Sequence, residues 1–340
     1  MFDKFGLMDL SNVGKVVLVG GAGFLGHHLA LALKSKGVDV SIIDAFTVNN
    51  VARMVTDTGP YRDRSLKMLE QRIDLLRVAE VPLHCIDATD YHALSRTLEK
   101  IQPDRICHLA AVAHAGRSNK DKHDAFLHTV VTLKNCIDYS VGAGVKQLTF
   151  NSSSLRYGHF QDPAYEDRTL APIGHYGNLK VIGERLLISA HQVEGLPYTI
   201  VVPSALIGPR CISRRVVQVF IENCLDGQPL QVAGNGEERI DFTSVYDYVQ
   251  GMLLILSQPE ALNETFNITY GQGRSLNEVV GILRKYFPTL TVEYSPWDSA
   301  YPSRNSLNIE KAQVLLGYQP EYPLERTIKA YLDWYAEFPI

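Results

Sequence analysis

The stretch that most constrains this chain of 340 residues is Gly20-Gly21-Ala22-Gly23-Phe24-Leu25-Gly26. It follows the apolar run Val16-Val17-Leu18-Val19 and precedes Leu29-Ala30-Leu31-Ala32-Leu33, an order that predicts a buried strand, a tight turn and a helix. Gly20, Gly23 and Gly26 have the spacing of a dinucleotide fingerprint. In that pattern the first glycine allows the sharp turn, the second lets backbone approach a pyrophosphate, and the third lets helix and strand pack closely. The pyrophosphate would rest on the helix N-terminus, where unpaired N–H groups and the helix dipole favour an anion. Asp44 ends the next apolar run, Val40-Ser41-Ile42-Ile43. That places a carboxylate where an adenosine ribose offers two hydroxyls and where a 2′-phosphate would be repelled. The expected cofactor is therefore NAD rather than NADP.

Bulk properties narrow the class further. The apolar fraction of 46% is enough for a substantial core, and the net charge of −4 suggests neither a nucleic-acid nor a membrane-surface partner. Cys85, Cys107, Cys136, Cys211 and Cys224 are scattered, without the close pairs of zinc or redox sites, which fits buried thiols in a reducing compartment. His27, His28, His108, His114 and His128 form no ligand set, so no metal is expected. Residues 1–14 lack the long apolar stretch of a secretory signal, and no run approaches the roughly 20 apolar residues of a membrane span. The expectation is a cytoplasmic protein that is not membrane-bound.

Strand-like and helix-like runs alternate through the first two-thirds of the chain. After Asp44 an insertion, 45–80, carries Leu66, Leu69, Ile73 and Leu76 at helical spacing amid Arg and Lys, which predicts an amphipathic helix with a solvated basic face. Strands are expected at 82–86, 104–109, 147–150 and 198–202, and helices from 91, over 123–141 and over 176–194. Such alternation implies a parallel sheet covered on both faces, with ligands at the carboxyl ends of its strands. Gly20, Asp44, Asp87, Ala110 and Ser152 all fall at those ends. From Pro203 the rhythm breaks into Pro- and Gly-rich loops around a helix over 216–225, with a return to the sheet at 241–268. The expected organisation is a nucleotide-binding domain of 13–203 plus 240–275 and a smaller discontinuous lobe of 204–239 plus 276–336.

The chemistry-bearing residues lie along that rim. The fifth strand ends in Asn151-Ser152-Ser153-Ser154, and Tyr176 and Lys180 begin a later helix at i, i+4, which puts phenol and ammonium on one face. A cation beside the phenol favours the phenolate, and a serine hydroxyl could hold a substrate hydroxyl against it. Tyr-x-x-x-Lys alone occurs by chance in many helices. The glycine loop in the same chain order gives it weight.

Together, the Gly-Gly-Ala-Gly-Phe-Leu-Gly loop, Asp44, Asp87, His108-Leu109-Ala110-Ala111, the Ser-Ser-Ser segment leading to Tyr157-Gly158, and Tyr176-x-x-x-Lys180 resemble the extended short-chain dehydrogenase/reductases. Within these the chain is most similar to the nucleotide-sugar epimerase/dehydratase group. The likeness runs from about residue 15 to 336 and includes Gly208-Pro209-Arg210, Gly234-Asn235-Gly236, Asp241-Phe242 and Lys311-Ala312. It implies an α/β fold: a Rossmann-type doubly wound parallel sheet with a smaller discontinuous α/β substrate-binding lobe. It makes Tyr176 the general base, Lys180 its modulator and a nicotinamide-ribose contact, and Ser153 the hydroxyl-binding serine, four positions before Tyr157. NAD would be held by Gly20, Gly23, Phe24, Leu25, Gly26, Asp44, Asp87, Ala88, Leu109, Ala110, Ala111, Tyr176, Lys180 and Pro203. The substrate would meet Ser153, Ser154, Arg210, Arg239 and Arg304, with Arg214 and Arg215 as further guanidinium candidates.

The implied activity is epimerisation of a nucleotide sugar, a UDP-sugar by default and most often at C4, through a transient keto sugar. Dehydratases of this group carry an acid/base pair directly after the hydroxyl-binding residue. Here that place holds Ser154-Leu155, with Arg156 next. The arginine that usually precedes Asp-Phe is replaced by Ile240, with Arg239 one position earlier. A dehydratase or reductase, and a non-catalytic NAD-binding sensor, remain the alternatives. The same resemblance implies a homodimer through the helices starting near 123 and 176.

Overall fold

The computed structural model describes residues 8–48, 54, 59–296 and 302–338. Parts of the expected 45–80 insertion and of the 276–336 segment, and the first seven residues, lie outside these. The β-branched runs of the sequence form the centre of a parallel sheet. Its strands are β1 (Val16–Val19), β2 (Val40–Ile43), β3 (Leu83–His84), β4 (Arg105–His108), β5 (Gln147–Asn151), β6 (Tyr198–Val202) and a seventh, Glu264–Asn267. Their spatial order is β3-β2-β1-β4-β5-β6 and then Glu264–Asn267 at the far edge. Val16 pairs with Val40 on one side and Arg105 on the other, so the order reverses beside β1. A crevice at the carboxyl ends of β1 and β4 follows from that reversal.

Both faces of the sheet are covered. Helix α1 (Phe24–Ser35) and helix Val245–Ser257 bury Leu29, Leu33, Val245, Val249 and Met252 against one face. Leu94, Leu98, Leu133, Ile137 and Leu187, from helices Tyr91–Ile101, Thr132–Ala143 and Gly174–Glu194, fill the other. A third apolar cluster joins Val217, Phe220, Leu230, Phe242, Val279 and Leu283 to Tyr331 and Trp334 of the C-terminal helix Leu324–Glu337. Helix Leu276–Arg284 in this cluster starts with a reciprocal capping box between Ser275 and Glu278.

Three expectations change. The third strand is only Leu83–His84, since as an edge strand it pairs with β2 alone. The helix expected over 123–141 is broken by a π turn, Leu127–Val131, between Lys122–Phe126 and Thr132–Ala143. There the Thr132 hydroxyl bonds both the His128 carbonyl (3.0 Å) and His108 Nε2 (2.8 Å). The insertion helix, Arg62–Val78, does not keep all its cations in solvent: Arg72 is fully buried while Ile73 is exposed. The Arg72 guanidinium donates to the carbonyls of Ala22 and Arg210, and satisfying those two loops is what turns it inward.

Candidate active site

The glycine loop is built as close approach demands. Gly20 adopts φ +80°, and a Cβ there would lie 2.6 Å from the Ala110 nitrogen at the end of β4. At Gly26 a Cβ would run into the Gly21 backbone. Helix α1 then opens at Gly23 with no side-chain cap, which leaves its first N–H groups turned to a cavity of about 380 Å³. At the end of β2 the Asp44 carboxylate accepts from Ala22 N (3.0 Å) and Phe46 N (2.8 Å). Burial raises its pKa, while those two N–H groups and Arg72 oppose the rise. At the third strand end Asp87 is held by the Thr89 amide and hydroxyl, at 2.9 and 2.8 Å.

The serine triplet follows β5 directly. Ser153 is the N-cap of the short 3₁₀ helix Ser154–Tyr157, its hydroxyl accepting from Leu155 N. The same hydroxyl lies near the Tyr176 phenol and lowers its pKa. Tyr176 and Lys180 both lie on the buried face of helix Gly174–Glu194, with Lys180 Nζ 5.7 Å from the Tyr176 ring centre. Lys180 Nζ donates to the Asn151 carbonyl (2.6 Å) and sits over the Phe150 ring. Burial pulls the lysine down to about 7, with Glu184 resisting. Burial also raises the phenol of Tyr176, against Arg215 and Ser153. The expected depression of the phenol is therefore corrected: in the chain alone, burial outweighs the neighbouring cations.

Every cofactor residue expected from the sequence lines this one cavity: Gly20, Gly23, Phe24, Leu25, Gly26, Asp44, Asp87, Ala88, Leu109, Ala110, Ala111, Tyr176, Lys180 and Pro203. Ser153, Ser154 and Arg304 line it too. Arg304 donates to the Ser154 hydroxyl (3.0 Å), and its Nε is buried without a hydrogen-bond partner among the described residues. Burial and the nearby Arg215 lower Arg304 to about 10.

Two substrate expectations need correction. Arg210 is not at the cavity: it is buried behind α1, its Nε donating to His27 Nε2 (2.9 Å) and its terminal nitrogen facing His28. Burial keeps both histidines far below their ordinary range, so they serve as neutral acceptors. Arg239 is spent on the Gly273 carbonyl (2.7 Å) and Glu278 (3.3 Å) and does not line the cavity.

Arg215, not favoured by the sequence, does line it, with one bond to the Ala113 carbonyl (3.2 Å) and its Nε buried without a hydrogen-bond partner among the described residues. It stands at the N-cap of helix Val216–Leu225. His128 and Ser204 also line the cavity without any sequence signal. Glu184 went unnoticed as well, although it lies one turn after Lys180 at the same i, i+4 step.

The fold, the fingerprint loop and the Ser–Tyr–Lys group define a class of dinucleotide-dependent enzymes. The model of the NAD dependent epimerase/dehydratase family matches residues 16–269, and the chain belongs to that family. It is 29% identical to the uncharacterized UDP-glucose epimerase YtcB of Bacillus subtilis (strain 168), over 92% of this chain and 94% of that one. It resembles the structure of UDP-glucose 4-epimerase from Thermotoga maritima with UDP-glucose, at TM-score 0.83 and 25% identity, covering 95% of this chain and 99% of that one. The fold also matches UDP-glucuronic acid 4-epimerase from Bacillus cereus, in complex with UDP-glucuronic acid and NAD, at TM-score 0.85 and 24% identity, covering 96% and 100%.

Proposed function

We propose that this chain is an NAD-dependent UDP-sugar 4-epimerase. The observation that carries the reading is the meeting of Ser153, Tyr176 and Lys180 beside the glycine cradle and two incompletely paired guanidiniums, Arg215 and Arg304. The cradle fits NAD, since the glycine loop packs backbone to backbone against Ala110 and within itself, helix α1 opens without a side-chain cap, and Asp44 would meet the ribose. NAD, when bound, supplies the hydride acceptor and donor. Ser153 holds the sugar hydroxyl, Tyr176 takes its proton, and Lys180 bears on the charge of the phenolate. The flat keto sugar then presents its other face, and Tyr176 returns the proton. A base within hydrogen-bond reach contributes roughly 10²–10⁴-fold.

Ser154-Leu155, where dehydratases carry their acid/base pair, offers no carboxyl group, which disfavours water elimination. Arg215 and Arg304 would hold the diphosphate, because guanidinium forks match phosphate geometry. The proposed organisation keeps the two lobes expected from the sequence, with 204–239 and 276–336 forming the substrate side. A cytoplasmic homodimer is the proposed setting. Helices Lys122–Phe126 and Gly174–Glu194 expose Phe126, Ile182, Leu186 and Val193, a surface suited to a second copy.

The test is proton NMR of the purified protein with UDP-glucose, UDP-glucuronic acid and UDP-N-acetylglucosamine, with NAD supplied. The expected result is conversion of at least one to its C4 stereoisomer at constant redox state, abolished by Tyr176→Phe. A lasting deoxy-keto product would mean a dehydratase, and no turnover would favour a non-catalytic sensor.

A further inference from the structure

Arg156 follows the serine triplet and, unlike a surface arginine, is buried. Its guanidinium lies over the Tyr157 ring at 5.1 Å and reaches the Glu184 carboxylate at 3.3 Å. Its Nε and one terminal nitrogen are buried with no hydrogen-bond partner among the described residues, so Glu184 takes its one ion-pair contact. Glu184 is itself fully buried and accepts a hydrogen bond from the Ser152 hydroxyl. It stands one helical turn beyond Lys180, which stands one turn beyond Tyr176. Phenol, ammonium, carboxylate and guanidinium thus form a buried row.

We infer that Arg156 is a positioning residue for the active-site lysine: by pairing with Glu184 it keeps that carboxylate ionised, and the ionised carboxylate keeps Lys180 protonated beside Tyr176. This rests on the epimerase reading for its kinetic consequence, though not for the coupling itself. Burial raises Glu184, and Arg156 is foremost among the groups that resist. Glu184 is in turn the group that resists the burial of Lys180.

The other groups facing this row do not replace Arg156. From β4, His108 packs near Lys180, but burial holds it neutral down to about 3. From β5 come the Phe150 ring and the Asn151 carbonyl, neither of which titrates. Arg215 faces Tyr176, and Arg185 acts on Glu184 from the exposed side of the helix. Glu166, beyond Tyr157, is a second carboxylate that Arg156 acts on, and Lys311 acts on it more strongly.

The sign follows from the chain of charges. Without Arg156, Glu184 takes up a proton, and Lys180 loses its counter-charge and deprotonates at lower pH. The experiment compares wild type, Arg156→Met, Arg156→Lys and Glu184→Gln. One readout is kcat and KM for the UDP-sugar against pH at saturating NAD. The other is the titration of the Lys180 ammonium in the cofactor-free protein, followed by NMR and assigned by its loss in Lys180→Met.

Arg156→Met should lower kcat at the alkaline end of its profile, leave KM unchanged, and move the Lys180 titration down by about one pH unit, the scale of a lost charge contact. Arg156→Lys should recover most of that shift. Glu184→Gln, which keeps the shape and a partner for Ser152, should reproduce it and serves if Arg156→Met does not fold. An unchanged titration in Glu184→Gln, or in a folded but less heat-stable Arg156→Met, would overturn the inference and leave a purely structural pair. If wild type turns over no UDP-sugar, the epimerase reading fails while the titration still decides the coupling.

Discussion

Four arginines that looked alike in sequence have different fates. Arg210 is neutralised by geometry: His27 and His28 offer lone pairs, and its own carbonyl receives Arg72. Arg239 is tied to a carboxylate and a carbonyl. Arg215 and Arg304 each keep a buried nitrogen with no hydrogen-bond partner among the described residues, a costly arrangement that an anionic ligand would relieve. Arg215→Met and Arg304→Met should therefore each raise KM for the UDP-sugar roughly ten- to a hundredfold, the worth of a charge-assisted bond in a desolvated site. Arg239→Met should stay within about fivefold, as expected for a half-exposed ion pair. Steady-state KM measurements on the three variants check this, and an equal loss at Arg239 would contradict it. Ile240 stands where the family's phosphate-binding arginine usually lies, and Arg215 reaches the cavity from another element.

At the scale of elements, local patterns were readable and cross-chain partners were not. The glycine turn, Asp44 and the Tyr176–Lys180 step depend on neighbours within a few residues, so period and spacing revealed them. The inward turn of Arg72 depends on loops at Ala22 and Arg210, and the Arg156–Glu184 pair on two elements meeting in space. Neither leaves a sequence period. The π turn likewise arises where Thr132 meets His108 of β4. Helix exposure became legible only in the fold: Ile182 and Leu186 lie one turn apart on the outer face of Gly174–Glu194. If that face joins two copies, Ile182→Glu combined with Leu186→Glu should convert a dimer to monomer in sedimentation equilibrium. A wild-type monomer at micromolar concentration would contradict it.

Across the whole molecule, the insertion helix Arg62–Val78 connects what the sequence treats as separate parts. Arg72 braces the glycine loop, Met68 enters the third apolar cluster, and Arg64 binds Asp226 at 2.9 Å beside the helix that carries Arg215. Cofactor cradle and anion-binding wall are thereby held by one element, which suits a reaction whose intermediate must be kept in place while it turns. The change in rhythm at Pro203, just after β6 ends at Val202, was legible. The bridge was not, because its register is set by contacts more than a hundred residues away. In the proposed epimerisation the hydrogen on the reacting carbon leaves as hydride and returns to the same sugar. The most direct test is conversion of a UDP-sugar carrying deuterium at C4 in ordinary water, followed by NMR or mass spectrometry. The expected result is a stereoinverted product that retains the deuterium. Inverted product with deuterium washed out to solvent would mean proton abstraction at carbon and would contradict it.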